Sequence, residues 1–370
     1  MPCIEALDVY RVAMPLIYPF RTAFGNDATI ESVLVRMEAG GVCGWGEASP
    51  WKFPAYCPES AAGVFLTITD FMAPALAHRD ITSGELLQQT LAVFKGNNFA
   101  KAALDLAWWD VHAKIRGEPL WKTIGGQRRQ VEVGEDFGIM DNIPMLLDAI
   151  RGAVGAGFRR VKLKYRPGWE INMLEAVRNS FPDIVIHIDC NSAYTLADTA
   201  MFKELDRFKL AMIEQPLMHD DLIDHAELQK RIDTPICLDE SITSPDKARK
   251  AVQVGACRWV NIKPGRVGGI TNAIRIHDIC MDAGIPCWLG GMLESAVGAS
   301  HCLALASLPN IRYPSDIFAT SRFYREDLSE PAMELSGPSV MDARMAPGAG
   351  AQPHPERLAA LSLDHARIAP

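Results

Sequence analysis

Five ionisable residues recur through the middle of the chain at nearly constant spacing. Lys164, Asp189, Glu214, Asp239 and Lys263 follow one another at intervals of 25, 25, 25 and 24 residues. Each ends a short apolar run of the kind that predicts a buried strand. If each unit contains one strand and one helix, the five residues hold equivalent positions on consecutive strands. We therefore expect three acids flanked by two lysines in one spatial group.

Three carboxylates that converge in a confined space repel one another, and a divalent cation removes that repulsion. The group contains oxygen ligands and neither histidine nor cysteine, which favours Mg²⁺ or Mn²⁺ over Zn²⁺. Any single member, such as Asp239, fits a helix N-cap equally well. Three carboxylates at equivalent positions of consecutive strands favour a metal site, formed by Asp189, Glu214 and Asp239.

The two lysines belong to the second and sixth predicted strands, on opposite sides of the group. Lys164 and Lys263 would each present an amine or ammonium to one face of a bound substrate, as acid and base residues do. Lys162, two residues before Lys164, points to the same face of its strand. The stretch VKLKY alone also fits the solvated face of an edge strand. The position of Arg266, three residues after Lys263, is equally consistent with a residue that supports Lys263 and with an exposed arginine in a surface loop.

The elements that must position these residues form a repeating pattern from residue 130 onward. Eight short apolar runs are each followed by a polar residue and a turn, and amphipathic helices separate them. The runs are VEVGEDFGI, RRVKLKY, DIVIHIDCN, LAMIEQP, TPICLDE, RWVNIKPG, IPCWLGG and, more weakly, IRYPSD. This alternation predicts an α/β fold, a closed parallel barrel with helices outside and polar residues at the carboxyl ends of its strands.

The rest of the chain has other patterns, which predict three parts. Residues 1–60 predict antiparallel strands and residues 59–124 predict helices, so 1–126 form an α+β capping domain that ends at Gly125–Gly126. Residues 127–325 contain the barrel and the active site. Residues 326–370, rich in Pro, Ala and Gly, form a C-terminal extension that packs on the capping domain.

Composition excludes several classes of partner. The 370 residues carry a net charge of −8 without a long basic block, which argues against nucleic acid. No apolar run approaches the ~18 residues of a membrane span. Nine cysteines without a CxxC pair are typical of a reduced, cytoplasmic protein. The first residues lack a signal-peptide core. We also expect a homo-oligomer, since barrels of this size commonly self-associate.

The motifs KLK, IDCN, IEQP, LDES, NIKPGRVGG and GGMLES, in this order, resemble the enolase superfamily. Within it they resemble the mandelate racemase/muconate-lactonizing family, nearest to the o-succinylbenzoate synthases and N-acylamino acid racemases. The resemblance implies a modified TIM barrel, (β/α)7β, with an N-terminal α+β capping domain. It implies a divalent metal on Asp189, Glu214 and Asp239, and Lys164 and Lys263 as acid/base residues that act on the proton α to a substrate carboxylate.

In this family, loops of the capping domain close over the barrel, and here these are residues 19–26 and 48–57. Their aromatic residues form the expected apolar lid, although ordinary interdomain packing explains them too: Phe20, Phe24, Trp51, Phe53 and Tyr56. Other residues are expected to contact substrate or to support the lysines and metal ligands: Lys162, Asn191, Glu240, Arg266, Gly291, Met292 and Ser295. Ser295 stands where the family has threonine or glycine, which leaves the substrate open.

The resemblance implies a Mg²⁺-dependent lyase that acts on a small-molecule carboxylate, an o-succinylbenzoate synthase of menaquinone biosynthesis. The alternatives are an N-acylamino acid racemase or another muconate-lactonizing-type isomerase. A barrel relative without catalysis is disfavoured, because an idle group of buried charges costs desolvation energy. A site like that of mandelate racemase needs a histidine on the seventh strand, where CWLGG has none.

Overall fold

Two sheets organise the chain, one antiparallel with four strands and one parallel with seven. The computed structural model describes residues 3–21, 26–77 and 79–369, and of residues 20, 21, 26 and 27 it describes only the backbone. The first three strands form an antiparallel meander: β1 (Ile4–Arg21), β2 (Asn26–Ala39) and β3 (Val42–Ala48). Gly40 and Gly41 make the β2–β3 turn with φ of 60° and 72°, a region that favours glycine. The predicted antiparallel strands are confirmed.

Helices cover one face of this sheet. They are α1 (Ala61–Thr67), a π-helical turn (Ile68–Met72), α2 (Ala73–Leu76), α3 (Gly84–Leu91), α4 (Asn98–Arg116) and α5 (Leu120–Thr123). The predicted long helix is α4, which Gly117 ends with φ of 68°. It packs closely on β3, because a Cβ atom at Gly46 would lie 2.2 Å from the Ala103 carbonyl oxygen.

The parallel sheet forms the barrel wall. After β4 (Gln130–Glu132) its strands are β5 (Glu135–Phe137), β6 (Arg160–Lys164), β7 (Val185–Asp189), β8 (Ile213–Glu214), β9 (Ile236–Leu238), β10 (Trp259–Ile262) and β11 (Cys287–Leu289). The eighth predicted run makes isolated bridges at Ile311 and Ser315 instead of a strand. These bridges join it to Cys287 at one side and Val133 at the other, so the (β/α)7β barrel closes.

Helices follow the strands on the outside of the barrel. They are α6 (Ile143–Gly155), α7 (Ile171–Ser180), α8 (Thr199–Leu205), α9 (Ile223–Gln229), α10 (Pro245–Val254), α11 (Pro264–Val267), α12 (Ile270–Asp282) and α13 (Ala296–Ala306). Short 3₁₀ turns lie at Leu196–Asp198, Asp206–Phe208 and Thr320–Arg322. Local capping sets their ends: in α10 the Ser244 side chain accepts from the Lys247 backbone N–H, and Gly255 ends the helix with φ of 71°.

The register of the parallel strands decides how the evenly spaced residues lie relative to one another. Lys164 lies directly opposite Asp189, and Asp189 directly opposite Glu214. Glu214 then pairs with Cys237, so Asp239 stands two residues further along its strand. Since side chains alternate between faces, a step of two keeps Asp239 on the inner face. The stagger is the shear of a closed barrel, which equal sequence spacing alone does not reveal.

The C-terminal segment adds a strand to the antiparallel sheet and forms two small two-stranded sheets. It contains β12 (Ser329–Glu330), β13 (Val340–Asp342), β14 (Gln352–Pro353), α14 (Pro355–Leu361) and β15 (Ser362–Ile368). β15 pairs with β1 and becomes the outer strand of the antiparallel sheet, whereas β13 pairs with β4. The domain boundaries at residues 126 and 325 stay predictions. In the part of the chain that the structure describes, no helix has the length and apolar character needed to cross a membrane.

Candidate active site

Strand β6 directs two lysines into the barrel. Lys164, at its carboxyl end, donates to Asp189 Oδ2 at 2.7 Å and to Asn191 Oδ1 at 2.8 Å. Lys162 lies one step deeper, with its Nζ 3.0 Å from the same Asp189 oxygen and 2.9 Å from Glu214 Oε2. A third carboxylate oxygen, Oδ2 of Asp316, lies 3.3 Å from the Lys162 Nζ. The two lysines therefore meet at one carboxylate, and Lys162 joins three.

This contact network decides the charge of the buried groups. Burial opposes the charge on Lys162, but the carboxylates of Asp189, Glu214 and Asp316 raise its pKa well above the usual lysine value. Burial likewise opposes ionisation of Asp189, yet Lys162 and Lys164 hold the pKa of Asp189 well below its ordinary value. The pKa of Glu214 is lowered in the same way, by Lys162 and His187, against burial and Asp189. The carboxylates are thus anions.

The opposite wall carries the second catalytic candidate. Lys263 follows β10 and donates to Asp239 Oδ2 at 2.9 Å. Arg266 binds the other Asp239 oxygen and also donates to the Tyr56 hydroxyl at 3.0 Å. The Tyr56 hydroxyl lies 3.3 Å from both Asp239 oxygens, and the Lys263 Nζ lies 4.6 Å from the centre of the Tyr56 ring. A capping-domain residue therefore touches the barrel's acid and lysine at once.

A small cavity separates the two walls. Its volume is about 40 Å³, far below the roughly 300–1,000 Å³ that is common for small-molecule sites. It is lined by Trp51, Tyr56, Asp136, Lys162, Lys164, Asn191, Lys263, Gly291, Met292, Leu293, Asp316 and Phe318. Trp51 anchors the capping loop by donating from its indole N–H to the Met292 carbonyl oxygen at 3.2 Å. The enclosing side chains must move when a substrate enters.

The structure brings eight of the predicted residues to the wall of this cavity: Trp51, Tyr56, Lys162, Lys164, Asn191, Lys263, Gly291 and Met292. The predicted metal ligands Asp189, Glu214 and Asp239 do not line the cavity but bind its lysines. Two predicted residues lie just behind its wall: Glu240, whose Oε1 accepts from the Asn191 side chain at 3.1 Å, and Arg266. Ser295 does not line the cavity. It caps α13 and donates from its hydroxyl to Glu47 Oε2 at 2.6 Å, so its side chain is engaged by the antiparallel sheet. Phe24 and the side chain of Phe20 lie outside the described residues.

Several residues of the site were not predicted. Asp136, Leu293, Asp316 and Phe318 line the cavity, and Asn261 holds Glu214 by donating to its Oε1 at 2.7 Å. Asp136 and Asp316 had a usable signal, since they are polar residues in the first and eighth apolar runs. They share with the other five a polar residue in an apolar run, but not the spacing of 24 or 25 residues.

The donor set fits a divalent cation by its chemistry. Asp189, Glu214 and Asp239 are buried carboxylates on neighbouring strands, 2%, 0% and 0% exposed, and carboxylate oxygen is the ligand that Mg²⁺ and Mn²⁺ prefer. Among the described residues, no three acidic, histidine or cysteine side chains stand together in a geometry that could hold a metal. The ammonium groups of Lys162, Lys164 and Lys263 bind these carboxylates instead, so a cation would compete with them.

Comparison with known proteins identifies the family. Residues 5–125 match the mandelate racemase/muconate lactonizing enzyme N-terminal domain, and residues 145–357 match the enolase C-terminal domain-like family. An N-succinylamino acid racemase of Thermus thermophilus is 44% identical over 331 residues, which are 90% of each chain. An o-succinylbenzoate synthase of Geobacillus kaustophilus is 43% identical over 348 residues, 94% of this chain and 92% of the relative.

A solved structure agrees with these matches. The crystal structure of an enolase-superfamily member from Listeria innocua has a TM-score of 0.96 and 36% identity, and the match covers the whole of both chains. The chain belongs to the enolase superfamily, in its mandelate racemase and muconate-lactonizing enzyme family. It is an enzyme, a lyase or an isomerase, and members of this superfamily use a divalent metal.

Proposed function

We propose that the protein is an o-succinylbenzoate synthase, a Mg²⁺-dependent lyase that dehydrates a hydroxycyclohexadiene carboxylate to the aromatic precursor of menaquinone. One observation carries the proposal. Lys164 and Lys263 reach the same buried cavity from opposite walls, with Asp189 and Asp239 beside them. A planar carboxylate substrate between these walls would present one face to each lysine, which is the arrangement that removal of an α-proton requires.

In this proposal Lys164 acts first as base and then as acid. Its neutral amine takes the proton α to the carboxylate, and the electron pair of that C–H bond moves into the carboxylate to give an enediolate, from which it returns to form the new ring double bond in the second step. The resulting ammonium then protonates the hydroxyl group on the neighbouring carbon, whose C–O bond breaks and releases water. The ammonium of Lys263 stays on the opposite face and stabilises the negative charge that develops between the two steps.

The capping loop supports this chemistry by excluding water. Trp51 and Tyr56 close the cavity from above, and Met292 provides the carbonyl that holds Trp51 in place. In a site that excludes water, the charges of both lysines act more strongly on the substrate.

The family's divalent cation would be held by Asp189, Glu214 and Asp239, and when bound it neutralises charge on the substrate carboxylate. Lys162, which neutralises two of these acids in the structure, remains beside them as a fixed positive charge. A cytoplasmic location and a homo-oligomeric state remain predictions of the sequence.

A second candidate function is N-succinylamino acid racemase. The two-sided placement of Lys164 and Lys263 supports it, since one lysine could remove the α-proton and the other return a proton to the opposite face. The 44% identity with the racemase of Thermus thermophilus supports it as well. Both reactions begin with the same proton transfer, so one protein can catalyse both.

The ultraviolet absorbance of the diene tests the synthase proposal. Purified protein with Mg²⁺ and the hydroxycyclohexadiene carboxylate should rapidly lose diene absorbance, and an excess of EDTA should stop the loss. Lys164→Ala should be inactive, whereas Lys230→Ala, which removes an exposed lysine at the C-terminal cap of α9, should match the wild type. If a protein that binds Mg²⁺ leaves the diene unchanged, the synthase proposal is rejected, and racemisation of N-succinyl amino acids is measured next.

A further inference from the structure

Lys162 occupies oxygen atoms that a divalent cation needs. Its Nζ lies 3.0 Å from Asp189 Oδ2 and 2.9 Å from Glu214 Oε2, and both carboxylates belong to the proposed metal site. The Lys162 side chain is 4% exposed, so its ammonium has little contact with solvent. A buried ammonium without a partner is energetically costly. When a cation binds these two acids, Lys162 therefore needs another buried anion within reach.

Asp316 provides such an anion. Its Oδ2 lies 3.3 Å from the Lys162 Nζ, and Asp316 is not among the acids assigned to the cation. It ends the eighth apolar run, next to the bridge that Ser315 makes with Val133 in the barrel wall. Burial opposes the ionisation of Asp316, but Arg160 and Lys162 lower its pKa to about 2. The residue is therefore a carboxylate at neutral pH.

The second oxygen of Asp316 is paired with a buried arginine. Arg160 Nη2 lies 2.7 Å from Asp316 Oδ1, and Arg160 is 1% exposed. Its Cζ lies 5.8 Å from the centre of the Trp288 ring and 5.4 Å from the centre of the Tyr313 ring. Gly134 leaves space for the guanidinium, because a Cβ atom there would lie 2.1 Å from Arg160 Cζ. Asp316 is thus held independently of the metal-binding acids.

Asp136 is the other carboxylate near Lys162, and it is the weaker candidate. Its charge helps to raise the pKa of Lys162, but Asp136 and Lys162 form no ion pair within the part of the chain that the structure describes. Burial and the neighbouring Asp316 also raise the pKa of Asp136, which disfavours its ionised form. Contact and charge therefore both favour Asp316.

We propose that Asp316 is a positioning residue for the metal site. When a divalent cation takes the oxygens of Asp189 and Glu214, the ammonium of Lys162 pairs with Asp316, which Arg160 holds in place. Lys162 then stays inside the site without competing with the cation. The inference rests on the proposed metal-dependent function, and it adds a residue that is neither a metal ligand nor a proton-transfer lysine.

A double-mutant cycle with calorimetric titration of Mg²⁺ into metal-free protein tests this inference. Asp316→Asn should weaken Mg²⁺ binding by about 10- to 100-fold, the range usual for outer partners of a metal site. In Lys162→Met no ammonium needs a partner, so adding Asp316→Asn should change the Mg²⁺ affinity by no more than about twofold. A merely structural role would weaken binding equally in both backgrounds. Asp148→Asn, which removes an exposed carboxylate on α6, should leave the affinity unchanged.

Gly134→Ala reaches the same contact without removing a charge. Its methyl group would displace the Arg160 guanidinium, so Mg²⁺ binding should weaken in the otherwise wild-type protein and stay unchanged in Lys162→Met. This variant takes the place of Asp316→Asn if circular dichroism shows that the latter does not fold.

An unchanged Mg²⁺ affinity in these variants, an equal loss with and without Lys162, or no Mg²⁺ binding by the wild type would each overturn the inference. The diene assay reports the proposed function separately. Dehydration of the diene by the wild type, together with a cycle that shows no coupling, refutes only the role of Asp316. The expected coupling in a protein that leaves the diene unchanged refutes the synthase proposal and leaves the role of Asp316 standing.

Discussion

Gly290 offers a test of how closely the barrel positions Lys263. It follows β11, and its backbone N–H donates to the Ile262 carbonyl oxygen at 3.0 Å. A Cβ atom at this position would lie 2.6 Å from Lys263 Cε and 2.6 Å from Asn261 Oδ1. Ordinary contacts between carbon atoms are about 3.5–4.0 Å, so Gly290→Ala must displace these side chains by about 1 Å.

The expected effect falls mainly on catalysis. Lys263 Cε lies near the end of a flexible side chain, so we expect the lysine side chain to move first. Asn261 moves less readily because its side chain donates a hydrogen bond to Glu214. A displacement of about 1 Å in a catalytic group can reduce the rate about 100-fold. Overpacking of a buried site costs about 1–3 kcal/mol, and the free energy of unfolding should fall by the lower part of that range.

Steady-state kinetics with the diene substrate and urea unfolding measure the two effects. Gly152→Ala is the matched control, because a Cβ at this position on α6 meets nothing within 4 Å. That variant should keep full activity and gain up to about 1 kcal/mol of helix stability. If Gly290→Ala keeps kcat within about threefold of the wild type, the contact does not position Lys263 and the reasoning fails.

Two further predictions concern the buried charges. Lys162→Met should lower the free energy of unfolding of the EDTA-treated protein by about 3–5 kcal/mol, because Asp189 and Glu214 lose their shared ammonium partner. Urea unfolding measures this, and a loss below about 1 kcal/mol would contradict it. Burial raises the pKa of Glu47 to about 7 despite the hydrogen bonds from Ser295, so the folded state keeps a proton that the unfolded chain releases near pH 4.5. Wild-type stability should therefore fall from about pH 5 to pH 7 relative to Glu47→Gln, and parallel profiles of the two proteins would refute this.

The grouping of the five charged residues was predictable because barrel geometry leaves a regular spacing in the sequence. Parallel strands joined by helices of similar length give intervals of 24 or 25 residues, so the polar residue at each strand end repeats visibly. Asp136 and Asp316 were not predicted as site residues because the first and eighth apolar runs depart from this interval. The first unit differs in length, and the eighth forms only bridges.

The partners of these residues could not be predicted in the same way. Nothing in the spacing indicates that Lys162 joins Asp189, Glu214 and Asp316, since side-chain length and barrel shear decide which oxygens it reaches. The contact between Tyr56 and Asp239 joins residues 183 positions apart. It depends on how the capping domain sits on the barrel, which no local pattern records.

Ser295 illustrates the same limit. It belongs to the GGMLES motif and therefore appeared to face a substrate, whereas it binds Glu47 across 248 positions of sequence. In the structure Ser295 is the N-cap of α13, and its side chain accepts a hydrogen bond from the Val297 backbone N–H. The motif marks the family, but its residues divide between the cavity wall, where Gly291 and Met292 lie, and the contact between domains.

The most direct test of the central claim, that two lysines act on opposite faces of one substrate, is α-proton exchange in single-lysine variants. The D and L forms of an N-succinyl amino acid are incubated in D₂O with Mg²⁺ and the wild type, Lys164→Ala or Lys263→Ala, and exchange is followed by NMR. The wild type should exchange both forms. Each variant should lose exchange of one form by about 100-fold or more, and the two variants should lose opposite forms. Exchange of both forms by either variant at wild-type rates, or loss of the same form in both, would contradict the account.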